Sequence, residues 1–178
     1  REGMLRLAGR EADGAIINWL SAEDVRRVAE VVNAQGPDKE IVCRIFVCPS
    51  ENTEAVRAAA RYAIAAYLNV PVYAAFHEWL GRGPQLQGMW DAWNAGDRKA
   101  ALAAIPDEVV DSILIHGSPE YCRARINAYF ENGVTTSSLA ILGLDPEVRH
   151  WDAVHALSPK RGGRGCGGVH VDRCPRRG

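Results

Sequence analysis

The chain has 178 residues, of which 47% are hydrophobic and 24% are charged, so it is long enough and apolar enough to bury a core. Its formal net charge is -1, but residues 159–178 are strongly basic, so the rest of the chain is acidic. This balance argues against nucleic acid as a partner. No apolar run is long enough to cross a membrane and no signal peptide is recognisable, so we expect no membrane partner.

The cysteines predict a reducing environment and no metal site. They are odd in number and scattered, and two of them lie in a strand-like run, where a free thiol behaves as a small apolar side chain. This usage predicts a cytoplasmic location. Cys166, His170 and Cys174 are regularly spaced, but structural zinc needs four ligands and usually a closer cysteine pair, so we predict that no metal binds.

The first 19 residues predict a helix, a tight turn and a buried strand. Apolar residues recur at helical spacing, Asp13-Gly14 is a turn signal, and the apolar run 15–17 is too short for a helix. A strand that is apolar on both faces is typical of a parallel sheet covered by helices. In such sheets function lies where the strands end, here at Asn18 and Trp19.

The remainder of the chain alternates helical and strand-like segments. Ser21 opens a capping box at the start of a helix, and residues 41–48 read as a second buried strand. Residues 52–105 carry several helical segments in succession, a long excursion before the next strand. A helix begins at Ser118, and residues 137–142 form a third strand. This alternation predicts an α/β fold with a parallel sheet.

Three polar side chains within these elements call for an explanation. Arg44 interrupts the strand 41–48, and because an unpaired buried charge costs several kcal/mol, we predict a structural ion pair for it. His77 lies on a helix beside Trp79, where it either lines a substrate pocket as a proton donor or orienting group, or is an ordinary surface or satisfied residue. His116 precedes the Ser118 cap and is predicted to be a loop residue.

Four segments together carry a resemblance to a known family. They are residues 3–20, Cys43-Arg44-Ile45-Phe46-Val47-Cys48, Tyr67-Leu68-Asn69-Val70-Pro71-Val72-Tyr73 and His116-Gly117-Ser118-Pro119-Glu120. In combination they resemble the C-terminal half of the bacterial luciferase-like monooxygenases. The subgroup that they resemble most is the deazaflavin-dependent (coenzyme F-420) oxidoreductases related to methylenetetrahydromethanopterin reductase.

The resemblance implies that residues 1–143 are the C-terminal part of a (β/α)8 TIM barrel with a long helical insertion before the last strand. Only three of the eight strands of such a barrel are recognisable. The chain begins with Arg1 rather than Met, so we expect that an N-terminal part precedes it. Residues 144–178 form a basic tail rich in Gly, Arg, Cys and Pro, which we predict to be disordered.

The resemblance also implies where the phosphate of the cofactor binds, at Arg1, Glu2, Gly3 and Met4. A helix start offers free N–H groups and the positive end of a dipole, and Gly3 lets the backbone approach an anion. The negative charge of Glu2 opposes this assignment unless its side chain turns outward. The alternative interpretation of this segment is an ordinary helix start.

Asn18 and Trp19 are the second group of candidate cofactor-binding residues. They end a strand on the face where barrels place their sites, so a contact with cofactor or substrate is a reasonable expectation. The structural alternative is that Trp19 covers the rim of the barrel.

The activity that the resemblance implies is that of an oxidoreductase or monooxygenase acting on a small molecule. The cofactor is coenzyme F-420, which transfers a hydride, with FMN and oxygenation as the alternative. His77 is the candidate substrate-contacting residue, and no catalytic residue is assigned. A different hypothesis is a non-enzymatic partial barrel whose open strand edges pair with another copy or another chain. Either way, we expect a homo-oligomer.

Overall fold

The structure is a computed structural model that describes residues 1–143 and 150–158, within which it has four strands and nine helices. The strands are β1 (Gly14–Asn18), β2 (Glu40–Cys48), β3 (Leu114–His116) and β4 (Thr136–Ile141). The helices are α1 (Glu2–Glu11), α2 (Ala22–Asn33), α3 (Thr53–Leu68), α4 (Pro71–Trp79), α5 (Gly83–Asn94), α6 (Arg98–Ala103), α7 (Asp107–Ile113), α8 (Pro119–Glu131) and α9 (His150–Leu157). Among the described helices, none combines the length and apolarity that a membrane span requires.

The central strand of the sheet is β2, and every pairing is parallel. β1 pairs with residues 40–44, β3 with residues 46–48 and β4 with residues 42–47. Residues 42–44 pair with both β1 and β4, so these two strands lie on opposite sides of β2. Residues 46 and 47 pair with both β3 and β4, so β3 lies on the β1 side. The carboxyl ends of the strands therefore meet at one edge of the sheet.

The predicted α/β fold with a parallel sheet is confirmed, but one strand is absent from the prediction. β3 has only three residues and follows α7 without a turn, so no periodic pattern marks it in the sequence. The prediction that His116 is a loop residue is wrong, because His116 ends β3 and pairs with Cys48.

Helices cover one face of the sheet. Tyr129 of α8 lies in this layer, and its hydroxyl donates a 2.8 Å hydrogen bond to the carbonyl of Leu20 just beyond β1. Burial of a large aliphatic side chain contributes about 1.5–3 kcal/mol, so this layer stabilises the docking of the helices on the sheet. Its buried residues from the strands and from α1, α2 and α8 include Ile17, Ile41, Cys43, Ile45, Val47, Leu5, Val25, Val28, Val32, Cys122 and Ile126.

The opposite face of the sheet is covered only near the carboxyl edge. There Trp19 and Phe46 pack in a second buried cluster with side chains of α3, α5, α6 and α7. Toward the other end of the strands, Ile16 is 83% exposed, although its neighbour in register is the apolar Val42. The sequence predicts strands buried on both faces, and this holds only for the half near the carboxyl edge.

Arg44 lies on the open half of this face, where its charge is solvated. Its side chain is exposed, and its guanidinium lies 5.1 Å from the centroid of the Phe46 ring. Within residues 1–143 and 150–158 it forms no salt bridge, so the predicted structural ion pair is not formed among the described residues. The prediction assumed that the strand is buried on both faces, whereas this face is open at Arg44 in the described part of the chain.

The long helical excursion predicted between the second and third strands is present as α3 to α7. The indole of Trp90 donates a 2.9 Å hydrogen bond to the carbonyl of Leu68, which fixes α5 against the end of α3. Arg57 of α3 forms ion pairs with Asp107 and Asp111 of α7 at 2.7 Å and 2.5 Å. These contacts hold α7 against α3, and β3, which follows α7 directly, pairs with β2.

Part of the segment predicted to be a disordered tail is helical. Residues 150–157 form α9, which packs against α8 and β4 with Ala153 and Leu157 buried. The prediction of disorder is therefore wrong for these residues. Cys166, His170 and Cys174, the candidates weighed for zinc, lie outside the described residues.

The close pairing of β1 and β2 depends on the absence of a side chain at Gly14. A Cβ atom at this position would lie 1.9 Å from the carbonyl oxygen of Glu40. Replacing Gly14 by Ala is expected to lower the free energy of unfolding by at least about 2 kcal/mol, because the two strands must separate to accept the methyl group. Urea denaturation monitored by circular dichroism measures this change.

The control for this substitution is Gly3→Ala. A Cβ atom at Gly3 meets no atom within 4 Å, and Ala is the better helix former, so the free energy of unfolding should stay within about 1 kcal/mol or rise. Equal denaturation midpoints for the two variants would contradict the predicted role of Gly14.

Candidate functional site

Two neighbouring cavities bring together most of the predicted cofactor-binding residues. The first, which we term the α1 cavity, has a volume of about 440 Å³ and is lined by Arg1, Glu2, Gly3, Met4 and Trp79. The second, the β1 cavity, has a volume of about 300 Å³ and lies between α1 and β1; its lining includes Arg1, Met4, Asn18 and Phe76. Arg1 and Met4 line both cavities.

The first turn of α1 leaves backbone donors available. The amides of Met4 and Leu5 bond to the carbonyl of Arg1, whereas no side chain caps the helix. In the described part of the chain, the amides of Glu2 and Gly3 have no acceptor. Because a Cβ atom at Gly3 would meet nothing within 4 Å, the backbone here is open to approach. A helix start with free N–H groups attracts anions.

The negative charge of Glu2 is already engaged by other groups. Its Oε1 lies 2.5 Å from the guanidinium of Arg6, and its Oε2 accepts a 3.3 Å hydrogen bond from the indole of Trp79. These hydrogen bonds, that of Arg6 first, lower the pKa of Glu2. Trp79 is held in turn by Arg27, whose guanidinium lies 4.0 Å from the ring centroid. The electrostatic repulsion between the Glu2 carboxylate and a bound anion is therefore reduced.

Trp19 lies outside both cavities. It is only 3% exposed, and its ring stacks on Phe46 at a centroid distance of 4.0 Å and lies 4.9 Å from the ring of Tyr67. Its φ of 57° lies in the left-handed region, which is uncommon for a residue other than glycine. This geometry corresponds to the structural alternative, a Trp that covers the rim, while Asn18 lines the β1 cavity. Contact of Trp19 with a cofactor stays a prediction.

His77 is a core residue of α4. It has no exposed surface, and neither ring nitrogen has a hydrogen-bond partner among the described residues. Burial, followed by the positive charge of Arg82, lowers the pKa of His77 to about 4, while Asp24 and the backbone of Trp19 oppose the shift. At neutral pH the ring is therefore uncharged. His77 lines none of the cavities described, and its contact with a substrate stays a prediction.

A buried ion pair lies close to this histidine. Asp24 completes the capping box of α2 with Ser21, and its Oδ2 lies 2.5 Å from the guanidinium of Arg82. The two side chains are 12% and 11% exposed, so their charges are largely removed from water. Because breaking one partner of such a pair leaves an uncompensated charge, this pair fixes the start of α2 to the loop after α4.

Sequence reasoning did not assign Phe76 and Trp79 to the site. Both line the cavities next to α1, and their rings stack at a centroid distance of 5.7 Å. The sequence feature that could have identified them is the run of aromatic residues on α4. Its helical spacing places these residues on one face of the helix but does not indicate which element packs against that face. No group of three or more potential metal ligands occurs in the described ranges.

A third cavity lies at the carboxyl end of β3. Its volume is about 260 Å³, and its lining includes Thr53, Asp111, His116, Tyr121 and Arg125. We term it the β3 cavity. It shares no lining residue with the α1 or β1 cavity. Sequence reasoning gave no indication of it, because its residues come from four separate elements.

Comparison with known proteins identifies relatives of the chain. The family model described as luciferase-like monooxygenase matches residues 1–136. The 5,10-methylenetetrahydromethanopterin reductase of Methanolobus tindarius is 30% identical over 140 residues, which cover 74% of this chain and 43% of that protein. The chain thus spans less than half the length of this curated relative.

Two solved structures are similar in fold. A coenzyme F-420-dependent tetrahydromethanopterin reductase from Methanopyrus kandleri matches with a TM-score of 0.63 and 16% identity, over 88% of this chain and 46% of that one. An F-420-dependent secondary alcohol dehydrogenase, solved with an F-420–acetone adduct, matches with a TM-score of 0.56 and 14% identity, over 89% and 47%. At these identities the likeness concerns the fold alone.

The fold is that of a parallel α/β protein, with the β3 cavity at the carboxyl end of β3 and the β1 cavity along β1 from Gly14 to Asn18. The match over residues 1–136 gives the family: the chain belongs to the luciferase-like monooxygenases and is related to a 5,10-methylenetetrahydromethanopterin reductase. The resemblance stated from the sequence is confirmed.

The burial of His77 predicts that acid destabilises the protein. The unfolded state takes up a proton near pH 6.5, whereas the folded state does so only near pH 4, so this contribution to stability is present above pH 6.5 and lost as the pH falls toward 4. From pH 7 to pH 5 the free energy of unfolding should fall by about 2 kcal/mol on this account. Urea denaturation at the two pH values measures it.

The variant His77→Leu should lose this dependence, because the group that titrates is removed. His155→Leu is the control, since His155 is exposed on α9 and the same loss of stability between pH 7 and pH 5 should remain. A pH dependence that is unchanged in His77→Leu would contradict the assignment.

Proposed function

We propose that the chain is the cofactor-phosphate-binding part of a coenzyme F-420-dependent oxidoreductase that acts on a small molecule. In this proposal residues 1–143 form the C-terminal part of a (β/α)8 barrel with a long helical insertion before the last strand. When bound, the coenzyme supplies hydride transfer. The chain itself binds and orients the coenzyme, and we assign it no catalytic acid or base.

The observation that carries this proposal is the shared cavity wall at the start of α1. Arg1 and Gly3 provide a cation and an open backbone, and the amides of Glu2 and Gly3 have no acceptor in the described part. Free helical N–H groups, the dipole and a cation all stabilise a phosphate. The residues that are present therefore fit the anionic end of the coenzyme.

The β1 cavity continues from this wall toward the strand, and it supports a role for Asn18. Asn18 lines it together with Met4 and Phe76, so an amide and two apolar side chains face the same space. A flat ring system buries well against such a surface, and an amide fixes its orientation by hydrogen bonds. Because further strands of the proposed barrel would pair along the rest of β1, the ring of the coenzyme is assigned to the end of this cavity at Asn18 rather than to the covered Trp19.

The half-open sheet supports the assignment to a larger barrel. A parallel sheet is ordinarily covered on both faces, whereas Ile16 and Arg44 are exposed on one face here. Strands that close the barrel would cover this face and pair with the free edge of β1. The relatives, of which the chain spans less than half, have the additional length for such strands.

The choice of coenzyme F-420 over FMN rests on the relatives. The named relatives with this fold are F-420-dependent enzymes or a methylenetetrahydromethanopterin reductase. Both coenzymes carry a phosphate that the start of α1 fits, so the geometry of the described residues favours neither. The preference for F-420 is therefore tested directly by comparing the two ligands.

The second candidate function is a non-enzymatic partial barrel that pairs with another chain. The free edge of β1 and the exposed Ile16 favour it, because open edges recruit further strands. In that case the cavities would bind neither coenzyme, and the homo-oligomer expected from the sequence would form through the sheet edge. Coenzyme binding separates the two candidates.

The test is a fluorescence titration of the chain with coenzyme F-420 and, separately, with FMN. Gly3→Glu is expected to weaken the binding of coenzyme F-420 at least about tenfold, because it adds a negative charge beside the phosphate and does not disturb the fold. FMN should bind more weakly than coenzyme F-420 to the unaltered chain.

The matched control is Ala103→Glu, which adds the same charge at an exposed position of α6 outside both cavities. This variant should bind as the unaltered chain does. Unchanged affinity in Gly3→Glu would refute the phosphate assignment, and binding of neither coenzyme would favour the partial barrel.

A further inference from the structure

The β3 cavity contains a carboxylate–histidine pair that is held rigidly. Oδ1 of Asp111 lies 2.9 Å from Nε2 of His116, and Asp111 also receives two hydrogen bonds from Arg57, at 3.0 Å and 2.5 Å. Arg57 and His116 lower the pKa of Asp111, so this carboxylate is ionised at neutral pH. The Nε2 atom of His116 therefore donates to Asp111, which fixes the orientation of the ring.

The other nitrogen of the same ring has no partner. The His116 side chain is only 10% exposed, and its Nδ1 is buried without a hydrogen bond to any described residue. An unpaired buried polar atom is costly, and in native proteins it commonly marks a place where a ligand or water completes the arrangement. Because Nε2 donates to Asp111, Nδ1 of the neutral ring carries no hydrogen and is a hydrogen-bond acceptor.

The remaining polar side chains of the cavity are uncommitted donors. The hydroxyls of Thr53 and Tyr121 have no hydrogen bond among the described residues. Arg125 has one ion pair, 3.3 Å from the exposed Glu23, which leaves most of its N–H groups available. Asp111 is the acidic residue in the lining, and both of its oxygens are already bound. The side chains of Thr53, Tyr121 and Arg125 therefore have hydrogen-bond donors that the lining carboxylate does not satisfy.

We propose that the β3 cavity binds the oxyanion group of a small acidic molecule, a carboxylate or a phosphate, through Arg125, Tyr121 and Thr53, beside the Asp111–His116 pair. A guanidinium presents a planar fork that matches such a group. The volume of about 260 Å³ lies below the usual range for drug-sized ligands, so the cavity suits one anionic group and a few attached atoms. This site is independent of the proposed cofactor site, with which it shares no lining residue.

The surrounding backbone reinforces the preference for a negative charge. Thr53 is the first residue of α3, and Gly117 lies directly before the Ser118 cap of α8, so two helix starts border the cavity. Both helices direct the positive ends of their dipoles to this region. Glu120, in the first turn of α8, is paired with Arg123 at 2.5 Å and does not line the cavity.

The test is a titration of the ¹⁵N-labelled chain with inorganic phosphate and, separately, with acetate, at constant ionic strength. We expect saturable shifts of the Gly117 and Tyr121 amides, with the tighter of the two anions identifying the preferred group. Arg125→Gln should raise the dissociation constant about tenfold, which corresponds to about 1.4 kcal/mol. Tyr121→Phe keeps the exposed ring and removes only the hydroxyl, and it should raise the constant by a smaller factor.

The matched control is Arg26→Gln, which removes one positive charge from the exposed surface of α2, where Arg26 bonds to Asn132. It should leave the dissociation constant unchanged. Shifts that do not saturate, or equal affinities in Arg125→Gln and Arg26→Gln while both spectra remain those of the folded chain, would overturn the proposal. Loss of binding in Gly3→Glu would also overturn it, because that residue belongs to the other site.

Discussion

The described structure depends on the parallel pairing of β2 with three other strands. β1, β3 and β4 all bond to this strand, and none of them pairs with another described strand. Parallel strands cannot be joined by a tight turn, so each pairing requires a crossover. For β1 to β2 the crossover is α2, and for β2 to β3 it is the series α3 to α7. The helical layers are thus a consequence of the pairing. The β3 cavity lies at the carboxyl end of β3, whereas the β1 cavity extends along β1 from Gly14 to Asn18.

The unequal covering of the two faces explains several features that otherwise seem unrelated. Near the carboxyl edge the second face is packed by the insertion helices, so Trp19 and Phe46 are buried there. At the other end the same face is open in the described part of the chain, so Ile16 and Arg44 are exposed there. In the proposed larger barrel, further strands would cover this surface and leave only the cavities at the edge accessible.

The two groups of cavities differ in the kind of electrostatics they offer. In the α1 cavity the charge of Glu2 is paired with Arg6, and its carboxylate accepts a hydrogen bond from Trp79; the attraction for an anion comes from the helix start and Arg1. In the β3 cavity the attraction comes from side chains, with Arg57 neutralising Asp111. Both arrangements favour negative groups, although the chain before its basic C-terminal segment carries a net negative charge. The reason is that the nearest charged and polar groups, and not the net charge, determine the electrostatic potential within a cavity.

The sequence by itself determined the α/β class, three of the four strands, the Ser21 and Ser118 helix starts and the family, because these follow from periodicity, capping residues and local motifs. The family resemblance implied a cofactor-phosphate role for Arg1 to Met4, and the end of the first strand indicated Asn18; contact of these residues with a cofactor stays a prediction. Only the tertiary structure decided that Trp19 and His77 are buried, that Arg44 is solvated and that β3 exists. Those outcomes depend on which surfaces the insertion helices cover and on contacts between residues such as Cys48 and His116, and no local pattern encodes contacts across that distance.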